Sequence, residues 1–385
     1  MDFNFSDDQN SLRDAVNRWV EKGFDFPRRH ALAKAGGQTR AVYAELAGLG
    51  LTALAVPEAH GGLGFGATEA MVVMEELGRG LVNAPFAAAA LVVPTLLSAA
   101  PADVQAAWYP KIASGEALVV PALQERGARY QRSQVTTTAT QGAGGWTLTG
   151  QKITVPAADE ADAFIVPARI AGAADGEAGI GLFLVEKGAP GSQATGYATQ
   201  DGGRAGELML NKAAATLVSA DGYAVLVQAV DVGIAAVCAE GVGLMDKMLL
   251  ITVDYMNTRK QFGSTLAGFQ ALRHRIADVK MHLELGRSMS YFASMKLGEA
   301  PAQRQRAISQ AKVQLGQSMR YVGQQCTQIH GGIGVTDEYI SSHYFKRLTM
   351  LEMAYGDTMH HLGVSRRACR TRPGCLLEAP VLGSR

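Results

Sequence analysis

The sequence predicts a mostly α-helical protein with a β domain in its middle, because the hydrophobic period changes twice along its 385 residues. Apolar residues recur at helical spacing to about residue 115, short β-rich runs follow, and helical spacing returns after Asp221. We therefore expect an N-terminal helical domain over residues 1–116, a β-barrel or β-sandwich over 117–221 and a C-terminal four-helix bundle over 222–385.

The N-terminal segment carries helix signals from its first residues. Ser6 to Gln9 form a capping box, and apolar residues follow at helical spacing from Leu12 onward, which predicts the first helix. Further helical segments are predicted over 41–51, 68–81 and 86–99, and around Trp108.

The middle of the chain changes to short runs with strand-forming residues. Gly-, Ala- and Asp-rich turns separate these runs, which is typical of a small barrel or sandwich. The predicted strands cover 118–123, 135–139, 146–155, 164–168, 182–185 and 208–210.

The C-terminal part contains long helical patterns with short connections. Helices are predicted over about 224–259, 269–297 and 302–329, and a fourth begins near Asp357. Long helices joined by short connections pack antiparallel, so this part predicts the bundle.

Composition excludes several classes of partner. The net charge is +1 and only 7% of residues are aromatic, so no nucleic-acid-binding surface is expected. The N-terminal residues are acidic and polar where a signal peptide is basic and then apolar, and no apolar run approaches the length that spans a bilayer. We expect a soluble, cytoplasmic protein without a membrane partner.

No metal site is expected from the cysteines and histidines. The four cysteines, Cys238, Cys326, Cys369 and Cys375, lack the close pairing of a zinc site. The adjacent residues His360 and His361 would point about 100° apart on a helix and could not share one ion.

Two unusual stretches suggest a cofactor site. In the first, Arg259 could bind a phosphate as a fork, and Phe262 and Gln270 could flank a heterocycle. In the second, Gly331 and Gly332 leave the backbone open to a flat ring or a pyrophosphate. Each stretch alone also fits an ordinary helix end, because paired glycines cap helices and basic residues complement the helix dipole.

Together these motifs resemble the acyl-CoA dehydrogenase family of flavoproteins, nearly end to end. The resemblance rests on Arg-Lys-Gln-Phe-Gly at 259–263 with Gln270 seven residues on, Gln-Ile-x-Gly-Gly-x-Gly at 328–334, and Tyr-Gly-Asp-Thr at 355–358. Members are usually tetramers that share each flavin across a dimer interface. The resemblance implies that Arg259, Phe262 and Gln270 reach the flavin adenine dinucleotide (FAD) of a neighbouring subunit. It also implies that Gln328, Gly331 and Gly332 contact the nucleotide half and that Thr358 lies near the flavin ring.

The middle-domain motifs depart from the family pattern. Gln124 to Gln131 replace Thr-Glu-Pro-Gly-Ala-Gly-Ser-Asp, and Thr154 and Pro156 stand where a Trp and a Thr normally line the flavin. Because Pro156 has neither an N–H nor a hydroxyl, the flavin contact of this chain's own domain is weakened or rebuilt.

The catalytic base of the family is also displaced. Dehydrogenation of an acyl thioester requires a carboxylate that takes the α-proton while hydride moves to the flavin. The family places this Glu at the position of Gly356 or, in other members, at that of Gly233, and an Arg that meets coenzyme A corresponds to Ile234. Asp357 is then the leading candidate base, with a helix N-cap as its alternative role. Weaker candidates are Asp231, Glu240 and Glu352.

These observations leave three hypotheses. The first is an FAD-dependent acyl-CoA dehydrogenase that forms a 2,3-enoyl-CoA through Asp357 and passes electrons to an electron-transfer flavoprotein. The second is a non-catalytic subunit of a heterotetramer that completes the FAD site of a larger acyl-CoA dehydrogenase subunit. The third is a flavin oxidase or monooxygenase of the same fold.

A further resemblance motivates the second hypothesis. Tyr130, the segment 197–205 and the segment 355–362 are similar to the small subunits of two-gene acyl-CoA dehydrogenases, including that of pimeloyl-CoA dehydrogenase and subunits acting on steroid side chains. In such pairs one chain can lose the catalytic Glu and still help to hold the flavin. The sequence leaves open whether the assembly is a homo-oligomer or a heterotetramer.

Overall fold

The computed structural model describes residues 5–370, with side chains as far as Arg367, and it confirms the predicted order of helical, β and helical domains. The outer limits predicted at residues 1 and 385, Cys375 and the side chain of Cys369 lie outside the described residues.

The N-terminal domain begins with the predicted capping box. The Ser6 hydroxyl accepts a hydrogen bond from the Gln9 N–H at 3.2 Å, and the Ser6 N–H donates to Gln9 Oε1 at 3.0 Å. Helix α2 was not predicted; Asp25 caps it and Pro27 occupies its first turn. The helices are α1 Asp7–Gly23, α2 Phe26–Lys34, α3 Arg40–Gly48, α4 Ala67–Arg79, a π-helical segment Ala87–Val92, α5 Val93–Leu97 and α6 Ala102–Ala113.

The middle domain is a closed barrel, one of the two forms that the sequence predicted. The strands are β1 Val119–Pro121, β2 Thr138–Gly142, β3 Gly145–Pro156, β4 Ala163–Arg169, β5 Ile180–Glu186, β6 Ser192–Ala198 and β7 Arg204–Ser219. The ring runs β4–β5–β7–β3–β2 and back to β4, while β1 pairs with β4 and β6 with β7. Strand β6 was not predicted, because its sequence is polar and half-exposed and contains only two strand-forming residues, Thr195 and Tyr197.

The C-terminal domain contains one helix more than predicted. The helices are α7 Tyr223–Thr258, α8 Gln270–Lys296, α9 Pro301–His330, α10 Ile340–Met353 and α11 Thr358–Arg370. A hairpin of β8 Lys260–Gln261 and β9 Ser264–Thr265 joins α7 to α8. Helices α7–α10 pack as the bundle, and the helix predicted near Asp357 is α11, which packs on α9. The missed helix α10 buries Tyr344, Leu348 and Leu351 at helical spacing.

Helix α7 corrects the expectation that no apolar run approaches membrane-spanning length. Among residues 5–370 it is the single helix long and apolar enough to cross a bilayer, with a mean hydropathy of 1.8 in its most apolar window. However, 83% of that window is buried inside the protein, because α7 packs against α4, α8, α9 and α10. Its apolar length therefore belongs to the core.

Helices α4 and α7 cross closely at two glycines. A β-carbon on Gly243 would lie 1.8 Å from the carbonyl oxygen of Glu75, and one on Gly78 would lie 2.2 Å from that of Glu240. The crossing joins the N-terminal domain to the bundle, and it fixes Glu240 at the junction of the domains.

Candidate functional site

A cavity of about 330 Å³ lies where the three domains meet. Helix α4, loops of the barrel, helix α7 and the end of α10 form its walls. Much of the wall is apolar, from the side chains of Leu77, Phe86, Leu123, Leu226, Val230, Val237 and Met350. We call this space the junction cavity.

The charged groups at the base of the junction cavity neutralise one another. Arg347 donates from Nε to Glu240 at 2.6 Å and from Nη1 to Asp201 at 2.7 Å. Arg29 donates to the main-chain oxygen of Asp201. Burial disfavours the charge of Arg347, but the two carboxylates outweigh it and the pKa of Arg347 is raised. The four groups therefore form a balanced cluster of two positive and two negative charges.

The first of the two family positions for the base, Gly233, is covered by an aromatic ring. A β-carbon on Gly233 would lie 2.8 Å from Cζ and 3.0 Å from the hydroxyl oxygen of Tyr355. Burial, and then the charge of Glu240, raise the pKa of Tyr355 to about 12. A neutral phenol therefore stands in the space that a carboxylate at position 233 would enter.

The second position, Gly356, is closed by its backbone and by two histidines. Its φ is 122°, and a β-carbon would lie 2.6 Å from His361 Nε2 and 2.7 Å from His360 Cδ2. His361 is held by the hydroxyl of Ser309 at 3.1 Å and the main-chain oxygen of Tyr355 at 3.2 Å. Burial, followed by the charge of Lys312, lowers the pKa of His361 to about 3, so its ring is neutral.

Asp357 caps helix α11. Its Oδ1 accepts a hydrogen bond from the His360 N–H at 2.7 Å, and its Oδ2 lies 3.3 Å from Arg129 Nη2. The His360 N–H lowers the pKa of Asp357; burial opposes this, and Arg129 adds to it. These contacts are those of the N-cap alternative, and a lowered pKa weakens a base. The catalytic role of Asp357 stays a prediction.

The hydroxyl of Thr358 is already engaged. It donates to Glu352 Oε1 at 2.7 Å, and the Thr358 N–H donates to the same oxygen at 3.0 Å. Lys312 Nζ donates to the main-chain oxygens of Leu351 and Glu352 at 2.7 and 2.8 Å. Lys312 therefore fixes the end of α10, and Glu352 fixes the start of α11. The Thr358 hydroxyl points to Glu352 rather than to an open site.

The remaining candidate acid also has strong internal partners. Asp231 is fully buried, with Arg132 at 3.0 Å on Oδ1 and Arg304 at 2.9 Å on Oδ2. Like Glu240 and Glu352, it serves to fix neighbouring elements.

The barrel segment that departs from the family pattern is built on a buried ion pair. Lys152 Nζ lies 2.5 Å from Glu125, and both side chains are almost completely buried. Burial raises the pKa of Glu125, but Lys152 outweighs it and brings the pKa to about 2. Arg129 and Tyr130 of the same segment line the junction cavity. The ring of Tyr130 lies against that of His360, with ring centroids 5.2 Å apart.

The residues predicted to reach a neighbouring subunit lie elsewhere, at the far end of α7. Arg259 follows the helix and is exposed, Phe262 at the tip of the β8–β9 hairpin is 93% exposed, and exposed Gln270 begins α8. Phe262 has a φ of 51°, so the hairpin holds this side chain outward in a left-handed conformation.

The glycine loop lies beside this hairpin. Gln328 is exposed near the end of α9, and no atom lies within 4 Å of a β-carbon built on Gly331 or Gly332. Tyr255, one turn before Arg259, stacks on His330 with ring centroids 4.7 Å apart. We call residues 259–270 and 328–332 together the donor edge.

Sequence reasoning missed several residues that shape these two sites. Tyr355 and Arg129 belong to segments that were compared with the family pattern, but neither was expected to shape a site, since their effect depends on where α10 and the barrel loop meet α7. Tyr255 and His330 offered a signal, because Tyr255 lies one turn before Arg259 and His330 lies between Gln328 and Gly331. Aromatic residues at such positions can join two segments by stacking.

One group among the described residues has the composition of a metal site. Ligand atoms of His30, Asp337 and His343 lie within 4.8 Å of one another. However, Arg29 donates to Nδ1 of His343, so Nε2 of this ring carries the proton and donates to the Asp337 main-chain oxygen at 2.8 Å. A metal ion at Nε2 would have to displace that proton, so the arrangement favours a hydrogen-bonded cluster.

Comparison with known proteins agrees with this architecture. Three family profiles match in order: "Acyl-CoA dehydrogenase, N-terminal domain" over 6–116, "middle domain" over 122–212 and "C-terminal domain" over 220–369. The chain is 29% identical to acyl-CoA dehydrogenase FadE27 of Mycobacterium tuberculosis, over 82% of this chain and 84% of the relative.

Two solved structures are similar over nearly the whole chain. The ChsE4-ChsE5 complex from Mycobacterium tuberculosis gives a TM-score of 0.86 at 27% identity, covering 97% of this chain and 100% of the other. A variant of the Tcur3481-Tcur3483 steroid ACAD gives a TM-score of 0.84 at 28% identity, and the match covers 94% of this chain and 98% of the other. With three consecutive domains matched in the family order, the chain belongs to the acyl-CoA dehydrogenase family.

Proposed function

We propose that this chain is a non-catalytic subunit of a heteromeric acyl-CoA dehydrogenase, in which it completes the FAD site of a larger catalytic subunit. The observation that carries the proposal is a contrast within one chain. Both family positions for the base, Gly233 and Gly356, lack a carboxylate and are covered by side chains, Tyr355 over the first and two histidines over the second, while the donor edge is open.

The donor edge fits a dinucleotide held by a neighbouring chain. The guanidinium of Arg259 has no ion-pair partner among the described residues, so it is free to meet a phosphate as a fork. Phe262 presents an exposed ring to a heterocycle, Gln270 offers an amide, and the bare backbone at Gly331 and Gly332 admits a pyrophosphate or a flat ring.

The chain's own half of a flavin site fits the cofactor poorly. Pro156 offers no N–H at the cavity wall, and Arg129 and Tyr130 stand where the family has small residues. Arg129 and Tyr130 are engaged by Asp357 and His360 instead. We therefore assign to this chain the role of lending side chains rather than housing its own flavin.

In the proposed heteromer, FAD held by the partner would supply the hydride acceptor for the acyl thioester and the electron route to an electron-transfer flavoprotein. Arg259 would neutralise a phosphate of the cofactor, while Phe262 and Gln270 would cover its ring and exclude water. The base that takes the α-proton lies on the partner chain. The similarity to the ChsE4-ChsE5 complex supports a heteromeric assembly, and the branch resemblance points to a dicarboxylic or ring-bearing acyl group.

A self-sufficient dehydrogenase acting through Asp357 is the competing function. It is favoured by the position of this carboxylate, whose partner Arg129 lines the junction cavity. A flavin oxidase or monooxygenase stays a third prediction.

The test is the flavin content of the chain purified alone, followed by anaerobic bleaching with a panel of acyl-CoA thioesters. We expect substoichiometric flavin and no bleaching, and bleaching only after co-expression with an acyl-CoA dehydrogenase subunit that carries the catalytic Glu. About one flavin per chain that bleaches without a partner would contradict the proposal. Oxygen consumption without an acyl-CoA would instead favour the oxidase.

A further inference from the structure

We infer that the junction cavity is a binding site for an uncharged, apolar molecule with a carbonyl group, whose oxygen accepts a hydrogen bond from the hydroxyl of Tyr355. The inference rests on the proposed function, because it applies to a chain whose cavity is not used for dehydrogenation.

The size and walls of the cavity suit such a molecule. Its volume of about 330 Å³ lies within the range of small-molecule sites, and apolar side chains from α4, the barrel, α7 and α10 line it. The cavity is open to solvent on one side and its wall includes polar groups, but the larger part of the wall is apolar and offers water few hydrogen-bond partners. The deep wall is formed by Leu226, Val230 and Val237 of α7.

The charges around the cavity argue for an uncharged ligand. Each of the four arginines that line it has a carboxylate partner within the chain. The pairs are Arg129 with Asp357, Arg132 with Asp231, Arg204 with Asp159, and Arg347 with Glu240 and Asp201. An anionic ligand would have to compete with these carboxylates for the guanidinium groups, and the competition is least favourable at the pairs whose carboxylates are buried, those of Arg132 and Arg347.

Tyr355 supplies the polar contact. Its hydroxyl makes no hydrogen bond to any residue of the range 5–370, although its ring lines the cavity. With a pKa of about 12, raised by burial and then by Glu240, the phenol stays protonated at neutral pH. A protonated phenol without a partner is a free donor, and a carbonyl oxygen is the acceptor that an apolar molecule can bring.

The cavity does not favour a coenzyme A thioester. The family arginine that meets the coenzyme A nucleotide corresponds to Ile234 here, which is fully buried and uncharged. A ketone or ester without a nucleotide handle fits better, since its polar group can be satisfied by Tyr355 alone.

Two matched probes test the inference on the full chain, purified alone and without flavin. The probes are 2-nonanone and 2-methyl-1-nonene, in which a methylene group replaces the carbonyl oxygen. Dissociation constants are measured by ligand-observed NMR titration of the wild type, Tyr355→Phe and Val230→Phe. Thermal unfolding of each variant verifies that it is folded.

We expect Tyr355→Phe to weaken ketone binding about tenfold, which is the usual effect of losing one hydrogen bond. Alkene binding should be unchanged by Tyr355→Phe, because the alkene has no oxygen to accept from the hydroxyl. Val230→Phe should weaken both probes at least tenfold by filling the deep wall. Tyr355→Phe removes one oxygen atom, so it keeps the test valid if the larger side chain introduced by Val230→Phe disturbs folding.

Equal ketone affinity of the wild type and Tyr355→Phe, or an equal loss of ketone and alkene binding in Tyr355→Phe, would overturn the inference. So would the absence of binding by either probe. These outcomes are independent of the proposed function, because neither flavin nor partner is present. A chain that bleaches alone yet binds the ketone through Tyr355 would refute the subunit role and keep the binding site.

Discussion

The donor edge and the junction cavity lie towards opposite ends of helix α7. The arginine of the donor edge is exposed, whereas the arginines that line the cavity are paired with carboxylates. At the donor edge, Arg259 has no ion-pair partner among the described residues, and Phe262 is 93% exposed. In the cavity, Arg347 is paired with two carboxylates, and Tyr355 covers Gly233. The difference teaches that side chains of this chain cover the two family positions for the base but leave the donor edge exposed, which is the contrast on which the proposed subunit role rests.

The largest effect is expected when a carboxylate is introduced at Gly233, the position that Tyr355 covers. Gly233→Glu places a β-carbon 2.8 Å from the Tyr355 ring and buries a charge without a partner. We expect it to lower the free energy of unfolding by about 4 kcal/mol, measured by urea denaturation.

The matched control is Gly144→Glu, because nothing lies within 4 Å of a β-carbon there. This change should alter the unfolding free energy by less than about 0.5 kcal/mol. A second change, Tyr355→Ala, should recover part of the loss in Gly233→Glu by opening space. If Gly233→Glu loses less than about 1 kcal/mol, the catalytic position is not closed.

The second-largest effect is expected at the donor edge, where Arg259 has no ion-pair partner among the described residues. Arg259→Met should weaken flavin binding in the assembled heteromer by about 2 kcal/mol, or about thirtyfold in Kd, because a charge-assisted contact with phosphate is lost. Arg18→Met, which removes an exposed arginine from α1, serves as the control and should leave Kd unchanged. Equal Kd values for both variants and the wild type would remove the donor edge from the flavin site.

Asp357 tests whether a carboxylate near the cavity is structural or catalytic. Asp357→Ala should lower the unfolding free energy by about 1 kcal/mol through loss of the N-cap, and Asp357→Asn should lose less, because Asn also caps helices. Turnover of the heteromer should be unaffected by Asp357→Asn. A hundredfold fall in turnover would instead identify Asp357 as the base.

The charge of Asp357 also predicts a pH dependence. Its pKa is lowered in the folded state, chiefly by the His360 N–H. Its stabilisation is therefore fully present above the unfolded-state pKa of about 3.9 and is lost as pH falls through the folded-state pKa. The difference in unfolding free energy between the wild type and Asp357→Asn should be constant from pH 5 to 7 and shrink below pH 4. A difference that grows on acidification would show that the carboxylate is not stabilised by these contacts.

The smallest effect on stability is expected for the exposed ring of Phe262 at the donor edge. Phe262→Ala should change the unfolding free energy of the isolated chain by less than about 0.5 kcal/mol, because the ring contacts solvent. In the heteromer the same change should raise the flavin Kd about fivefold. The contrasting control is Phe164→Ala in the barrel core, which should destabilise the chain by about 3 kcal/mol. A destabilised Phe262→Ala chain with unchanged flavin binding would mean that the ring packs internally.

Much of the fold was predictable because its signals are local. The capping box at Ser6 and the apolar spacing after it determine α1, and the period change near residue 117 marks the barrel. Strand β6 and helix α10 escaped prediction for a physical reason. Strand β6 is half-exposed and depends on its pairing with β7, and the apolar set of α10 is short and lies between polar and glycine-rich segments.

The sequence by itself determined that Gly233 and Gly356 lack a carboxylate and that Arg259, Phe262 and the paired glycines are present, since these are matters of residue identity. Only the tertiary structure decided that Gly233 is covered, whereas Gly356 meets His360 and His361, four and five residues further along the chain. Tyr355 reaches Gly233, and Arg347 joins Glu240 to Asp201, through contacts between residues more than a hundred positions apart in the chain. Such contacts depend on how α7, α10 and the barrel pack together, and hydrophobic periodicity specifies which face of an element is buried but not which distant side chain will meet it.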